Sequence, residues 1–296
     1  MQILTTTDGL PLHTRQWRKP ARGIDVTADK ANIGRRGTVL IVHGLGEHIG
    51  RYAAVAERLN AEGWQVWGYD QRGHGESGGA RGDVPDGEAL QRDLAQAIDA
   101  VRTNAEWTAG PLLLLGHSMG GLVAARFVAG GLMAKQPAWF RPVDGLILSS
   151  PAFDPGLSAW QRLQLKIGLA LTPHLAVGNG LKPDWICRDP AVVRAYLADP
   201  LVHKRITPTL AQTFVDGGEL MRLHAPAWAV PTLLMWAGSD RCVAPAGSAA
   251  FAAAAPTAVV SAQCFKPLFH ELFNEPEREQ VLLRLAAWLA ERFTRR

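Results

Sequence analysis

Cysteine is scarce. Three residues, Cys187, Cys242 and Cys264, cannot build a disulfide framework in a chain of 296, and no CxxC pair offers zinc-site spacing. They read as free thiols of a reducing compartment. A strong charge of one sign is also lacking: 31 Lys and Arg face 27 Asp and Glu, for a formal net charge of +4. The basic residues are scattered rather than gathered into the dense runs that neutralise a phosphate backbone, so no nucleic-acid partner is expected. No segment approaches the roughly eighteen uninterrupted apolar residues of a membrane span. Met1 to Asp8 carries neither the basic region nor the apolar stretch of a signal peptide. These absences lead to the expectation of a soluble, cytoplasmic protein.

What is present is a globular composition, 47% hydrophobic and 20% charged, which supplies a sizeable buried core. At about 150 residues per domain the length admits two domains, although one α/β core with an appendage fills it equally well. Ten tryptophans hint at broad apolar contact surfaces. Along the chain, Asp8-Gly9 predicts a hairpin turn within the first nineteen residues. A polar loop from Pro20 to Gly37 follows, where no function is expected. Then come short, nearly continuous apolar runs: Thr38 to Val42, Gln65 to Tyr69, Leu112 to Leu115, Leu146 to Leu148 and Thr232 to Trp236. Such runs suit strands covered by helices on both faces. Helical segments lie between them: Tyr52 to Ala61, Glu88 to Val101, Gly121 to Leu132 and Ala246 to Ala255. The alternation predicts an α/β fold with a mostly parallel central sheet. A final helix from Glu275 has proline in its first turn and acids early, in keeping with the helix dipole.

Between about Ala152 and Pro231 the alternation stops, and no clear strand appears. The reading is a core of residues 1–151 and 232–296 with a helical insertion, 152–231, acting as a cap. Its first helix, near Trp160 to Leu171, carries Leu163, Leu165, Ile167, Leu169 and Leu171, more apolar than one buried face demands. The ordinary outcome is packing against the main domain. The alternative is a lid that offers apolar side chains to a fatty substrate or, transiently, to a membrane surface.

Gly116-His117-Ser118-Met119-Gly120 directly follows one apolar run and directly precedes a helix. That context predicts a nucleophile elbow, a strand-turn-helix so tight that the serine takes a strained conformation and glycines must flank it. A serine hydroxyl needs a neutral imidazole within reach, and the imidazole needs a carboxylate to fix its tautomer. In α/β hydrolases these partners follow the serine in the order acid, then histidine. Asp240, just beyond the last strong strand, is the best-placed acid, because the other acids after Ser118 fall in the insertion or precede their strand. His270, past an expected strand from Ser261 to Phe265, is the best base. Two backbone N–H groups should hold the developing oxyanion, that of Met119 after the nucleophile and that of Leu45 in the glycine-bearing loop after the third strand.

With these pieces assembled, the sequence resembles the monoacylglycerol lipase and lysophospholipase group of the α/β-hydrolase superfamily, the set grouped with the S33 peptidases. The resemblance rests on His43-Gly-Leu-Gly-Glu-His48 with Arg51-Tyr52, Tyr69-Asp-Gln-Arg-Gly-His-Gly-Glu-Ser77, Gly116-His-Ser-Met-Gly-Gly121, Asp199-Pro-Leu-Val202, Trp236-Ala-Gly-Ser-Asp240 and His270-Glu-Leu-Phe-Asn-Glu-Pro276. It implies an α/β-hydrolase fold, a cofactor-free hydrolase of acyl esters with a glycerol or glycerophospho leaving group, monoacylglycerol or lysophospholipid, acting through an acyl-serine intermediate, and a helical cap over the serine. It places Ser118, Asp240 and His270 on the family's triad, and Leu45 and Met119 on its oxyanion donors. Arg72, His74 and Glu76 read as braces of loops near the oxyanion turn. Acyl transfer or amide cleavage on the same triad, and a non-catalytic binding protein on a hydrolase fold, are the alternatives. The sequence leaves oligomeric state, acyl-chain length and head group open.

Overall fold

The computed structural model describes residues 2–17, 36–104 and 110–293, so most of the polar loop expected over residues 20–37 lies outside the described residues. The hairpin at the start forms as read: β1 (Gln2–Thr5) pairs antiparallel with β2 (Pro11–Trp17). The apolar runs become β3 (Gly37–Val42), β4 (Trp64–Tyr69), β5 (Leu112–His117) and β6 (Gly145–Ser149). Interleaved with them are α1 (Ala53–Ala61), α2 (Ala89–Thr103) and α3 (Met119–Ala129). The insertion contributes α4 (Ala159–Leu171), the two-residue strands β7 (Val177–Gly178) and β8 (Arg205–Ile206), α5 (Pro190–Ala198) and α6 (Pro208–His224). The chain then resumes with β9 (Thr232–Ala237), α7 (Pro245–Ala254), β10 (Val260–Phe265) and α8 (Arg278–Arg292).

Eight strands form one sheet in the order β1-β2-β4-β3-β5-β6-β9-β10. From β4 to β10 every neighbouring pair is parallel. The parallel strands are apolar along their length because both faces are covered. All six residues of β3 are buried, with Leu40 and Val42 facing one core and Val39 and Ile41 the other. The first core is closed by α2, α3, α6 and α7, through side chains such as Ile98, Phe127, Phe214 and Phe251. On the other face α1 and α8 bring Leu59, Leu285 and Trp288. Among the described residues no helix is long and apolar enough to cross a membrane.

Three local readings need correction. Residues 152–231 hold a small antiparallel pair, β7 with β8, joined across α5, whose strands are too short for any alternation to show. The last helix starts after Glu277, so Pro276 precedes it instead of sitting in its first turn. The third correction concerns α4, which starts with a capping box between Ser158 and Gln161 but buries no residue at all. Trp160, Leu163, Ile167 and Leu171 are 64, 46, 49 and 75% exposed, so α4 packs on α6 only through the side carrying Leu165, Gly168 and Leu169, and the rest of its apolar surface is uncovered. By contrast, α6 buries Leu210, Phe214 and Met221 in the main core.

Arg72 braces the turn after β4. It binds Asp93 of α2 through Nε and Nη2 at 2.6 and 2.7 Å, and Asp8 of the first hairpin at 3.0 Å. Asp93 is almost wholly buried, and burial raises its pKa despite the guanidinium. Removing the partner leaves that carboxylate without a counter-charge. Arg72→Met is expected to lower the unfolding free energy by about 3–5 kcal/mol, measured by urea denaturation; a loss below about 1 kcal/mol, the size of an exposed pair, would contradict the bracing role.

Candidate active site

The site begins where β5 ends. Leu113 to Leu115 fill the sheet, and the chain must then reverse into α3 within one residue. Ser118 takes that residue, at φ 52° and ψ −120°, a conformation costly for a side-chain-bearing residue. Its backbone is tied on both sides: Ser118 N–H donates to the Ser149 carbonyl at 3.1 Å, and its own carbonyl accepts from Ala152 at 3.0 Å and Leu122 at 3.1 Å. The flanking glycines are a steric necessity. A Cβ on Gly116 would lie 2.5 Å from the Gly120 carbonyl oxygen, and one on Gly120 would lie 2.1 Å from that of Val42. The helix therefore begins at Met119, directly after the serine, rather than near Gly121. As the first residue of α3, Met119 has an N–H with no intrahelical partner.

Asp240 and His270 reach the same place from the far side of the sheet. Asp240 follows β9, and its Oδ1 accepts the N–H groups of Cys242 and Val243 at 2.8 and 3.1 Å. Its Oδ2 accepts from His270 Nδ1 at 2.7 Å. Burial opposes its charge, but the imidazole and the two amides outweigh burial and keep the Asp240 pKa below its ordinary value. With the carboxylate ionised, His270 carries its proton on Nδ1 and presents Nε2 as a base. Burial of the ring favours the neutral form, but Asp240, Glu271 and Glu47 outweigh it and raise the His270 pKa.

The loop after β3 closes the site. Leu45 lines the same cavity as Ser118 and His270. Gly44 approaches the serine so closely that a Cβ there would sit 3.2 Å from Ser118 Cβ. Among the described residues nothing accepts a hydrogen bond from the Leu45 or Met119 N–H, and Ser118 Oγ makes none. All five residues singled out from the sequence thus converge at the carboxyl end of the parallel strands. Arg72, His74 and Glu76 stay outside the cavity. His43 is a fixed strut, with Nδ1–H donating to the Gly44 carbonyl at 2.8 Å and Nε2 accepting from Gln71 N–H at 2.9 Å.

Two lobes meet at Ser118. One is lined by the charged side chains of Glu47, Arg51, Lys182, Lys204 and Glu271 together with Leu45, Leu181, Pro183 and Ile186 around the serine. The other is roomier and more apolar, walled by Pro155, Leu157, Leu181, Ile206, Phe214 and Val243. Sequence reasoning assigned no role to Arg51 or Glu271. The short spacing from Glu47 to Arg51 and the adjacency of Glu271 to His270 were the available signals.

A family model described as serine aminopeptidase, S33, matches residues 34–277. The chain is 36% identical to the monoacylglycerol lipase of Mycolicibacterium smegmatis over 86% of its length and 88% of that protein's. It is 31% identical to the phospholipase YtpA of Bacillus subtilis over 82% of its length and 91% of that protein's. Among solved structures it resembles the monoacylglycerol lipase of Paleococcus ferrophilus, with a TM-score of 0.79, 30% identity, and coverage of 95% of this chain and 99% of the other. The chain belongs to the S33 serine hydrolases, in the monoacylglycerol lipase group. It has the α/β-hydrolase fold and is an ester-cleaving serine hydrolase, a chemistry that runs through an acyl-serine intermediate.

A hydrolase of this family needs its imidazole neutral before attack. With His270 as the proposed base, its raised pKa means that the fraction of active enzyme should fall as pH drops through a midpoint above the ordinary histidine value of about 6.5. The expected acid limb of kcat/KM on a soluble ester therefore lies above pH 6.5; a midpoint below that value would contradict the ionised Asp240–His270 pair.

Proposed function

We propose that this hydrolase cleaves monoacylglycerol-type esters, with Ser118 as nucleophile, His270 as general base and then acid, Asp240 as its orienting carboxylate, and the Leu45 and Met119 N–H groups as the oxyanion hole. One observation carries the reading: Ser118 lies where a strongly apolar lobe meets one that carries charged side chains on its wall. An acyl chain in the first and a glycerol moiety in the second bring the ester carbonyl over Ser118 Oγ. His270 Nε2 takes the hydroxyl proton as Oγ attacks, and the carbonyl oxygen gains negative charge against the two amides. Collapse of the intermediate expels the alcohol, which receives the proton from His270. Water, deprotonated by the same imidazole, then releases the fatty acid. The scheme uses only side chains and backbone amides of this chain.

Lysophospholipids are a second substrate class, favoured by Lys182 and Lys204 on the charged wall, where an anionic head group would find two cations. Residues 152–231 act as the cap: Tyr196, Leu181 and Phe214 come from this segment and wall the two lobes. The bare apolar side of α4, from Trp160 to Leu171, fits a peripheral contact with the lipid surface from which such substrates are drawn. This reading adds transient membrane contact to the cytoplasmic placement expected from the sequence.

Ser118→Ala is expected to lower kcat by about 10⁴-fold or more on monoacylglycerols and to abolish fluorophosphonate labelling. Labelling that survives the substitution would remove Ser118 as nucleophile. A panel of monoacylglycerols, lysophospholipids and short p-nitrophenyl esters then separates the substrate classes, and preference for lysophospholipids would favour the second. Leu165 and Leu169 are half-buried, whereas Leu163 and Ile167 face outward. Leu163→Glu with Ile167→Glu should therefore reduce vesicle binding and turnover of aggregated long-chain substrate far more than turnover of a soluble short ester. Equal losses on both would contradict the lipid-surface role.

A further inference from the structure

We infer that Arg51 and Glu271 are positioning residues: a buried strut, Glu271–Arg51–Glu47, fixes the loop bearing His270 against the loop bearing Leu45 and sets the charge that the imidazole faces. The inference rests on the assignment of Ser118, Asp240 and His270 given above.

The geometry is a chain of short bonds. Arg51 Nη1 donates to Glu271 Oε1 and to Glu47 Oε2, both at 2.6 Å, and Nη2 donates to Glu271 Oε2 at 2.8 Å. The three side chains are 12, 7 and 6% exposed. Glu47 Oε1 in turn accepts the Gly44 N–H and the Tyr52 hydroxyl, each at 2.6 Å. Gly44 is the residue packed against Ser118 and next to Leu45. At the other end, Glu271 follows His270 directly, its N–H donates to the Ile186 carbonyl at 2.8 Å, and its Oε2 accepts from Asn274 at 2.8 Å. An unbroken path therefore runs from the base to the oxyanion loop across residues 220 positions apart.

The site needs such a link. The elbow fixes Ser118 directly, but His270 and Leu45 sit on loops. Asp240 holds one nitrogen of the ring, which leaves the position of the His270 loop relative to the Leu45 loop unspecified. A displacement near 1 Å is enough to cost about a hundredfold in rate.

Arg51 lines the lobe with the charged wall, yet it is poorly suited to bind an anionic head group. Its terminal nitrogens are committed to two carboxylates, and the Tyr196 ring covers the guanidinium at 4.9 Å. Paired this way, the three groups carry one net negative charge. The groups facing His270 are Asp240 and Cys242 after β9, Glu271 on its own loop, Glu47 and Arg51 beyond β3, and His117 at the end of β5, whose ring lies 4.7 Å from that of His270. Burial, and next the neighbouring His270, lower the His117 pKa to about 4, so His117 stays neutral across the working range.

Removing charge from either end of the strut should move the imidazole's titration in opposite directions. Glu271→Gln deletes an anion beside the ring, so the acid limb of kcat/KM should shift to lower pH. Arg51→Met leaves Glu47 and Glu271 without their cation, so the limb should shift to higher pH. Arg51→Lys retains the charge and should keep the limb near the wild-type position without restoring the rate, because one ammonium cannot hold three oxygens in the plane of a guanidinium. A residue that only supported folding would lower activity without opposite shifts.

The experiment measures kcat/KM for a soluble short-chain ester across pH in the wild type and these three variants, with fluorophosphonate labelling of each. The expected result is labelling retained, rates about tenfold to a hundredfold lower, and limbs displaced in opposite senses for Glu271→Gln and Arg51→Met. Rates within about twofold of wild type with unmoved limbs would overturn the inference, as would shifts in the same direction. If Arg51→Met yields no folded protein, Glu271→Gln decides alone: a shift to lower pH supports the strut and an unmoved limb overturns it. If Ser118→Ala still labels, the nucleophile assignment itself has failed and the strut falls with it.

Discussion

A serine held at φ 52° between a buried strand and a helix is the constraint from which the rest of the architecture follows. The conformation is unfavourable, and it persists because Ser149 of β6, Ala152 just after β6 and Leu122 of α3 bond its backbone while Gly116 and Gly120 let the neighbouring carbonyls close in. Its effect is to raise one hydroxyl above the end of a parallel sheet, beside the first amide of α3. The other groups proposed to act with it are brought to that point. Strand ends and sheet order deliver Asp240 and the Leu45 loop, and the loop after β10 delivers His270.

The electrostatics follow the same division between fixed and delivered parts. Buried carboxylates near the site each hold a designated partner: Asp240 has the imidazole and two amides, Glu47 has Arg51, Gly44 and Tyr52, and Glu271 has Arg51. Burial opposes ionisation of Glu47, yet Arg51 together with His117 and His43 carries its pKa down to about 2. Such pairs add little net stability relative to apolar packing, but once present they fix geometry, because losing one member strands the other. The insertion joins the same network. His48 Nε2 meets Asp199 at 2.8 Å, His203 N–H donates to the Gly46 carbonyl at 2.9 Å, and Arg188 N–H donates to Glu275 at 2.6 Å. The segment that walls the two lobes is thus bonded to the loop of Leu45 and to the loop of His270, while one side of α4 stays uncovered.

Much of this was legible in the sequence because the signals were local. A run such as Thr38 to Val42 can be fully apolar only if both sheet faces are covered, and Gly-His-Ser-Met-Gly at a strand-helix junction admits few backbone solutions. The order of acid and histidine after the serine then narrowed the candidates to Asp240 and His270. Other features had no local signature. The number of leucines in α4 said that a face was apolar, not that it would remain uncovered. A two-residue strand such as Arg205–Ile206 cannot show alternation. The link from Arg51 to Glu271 joins loops whose proximity only the fold creates, so spacing could not reveal it.

The most direct measurement is the identity of the covalent intermediate. Enzyme mixed rapidly with a slowly deacylating long-chain monoacylglycerol analogue, quenched in acid and digested, should give one peptide heavier by the mass of the acyl group, with the modification mapped to Ser118. Acylation at any other residue, or turnover with no acylated peptide at any time point, would contradict the account.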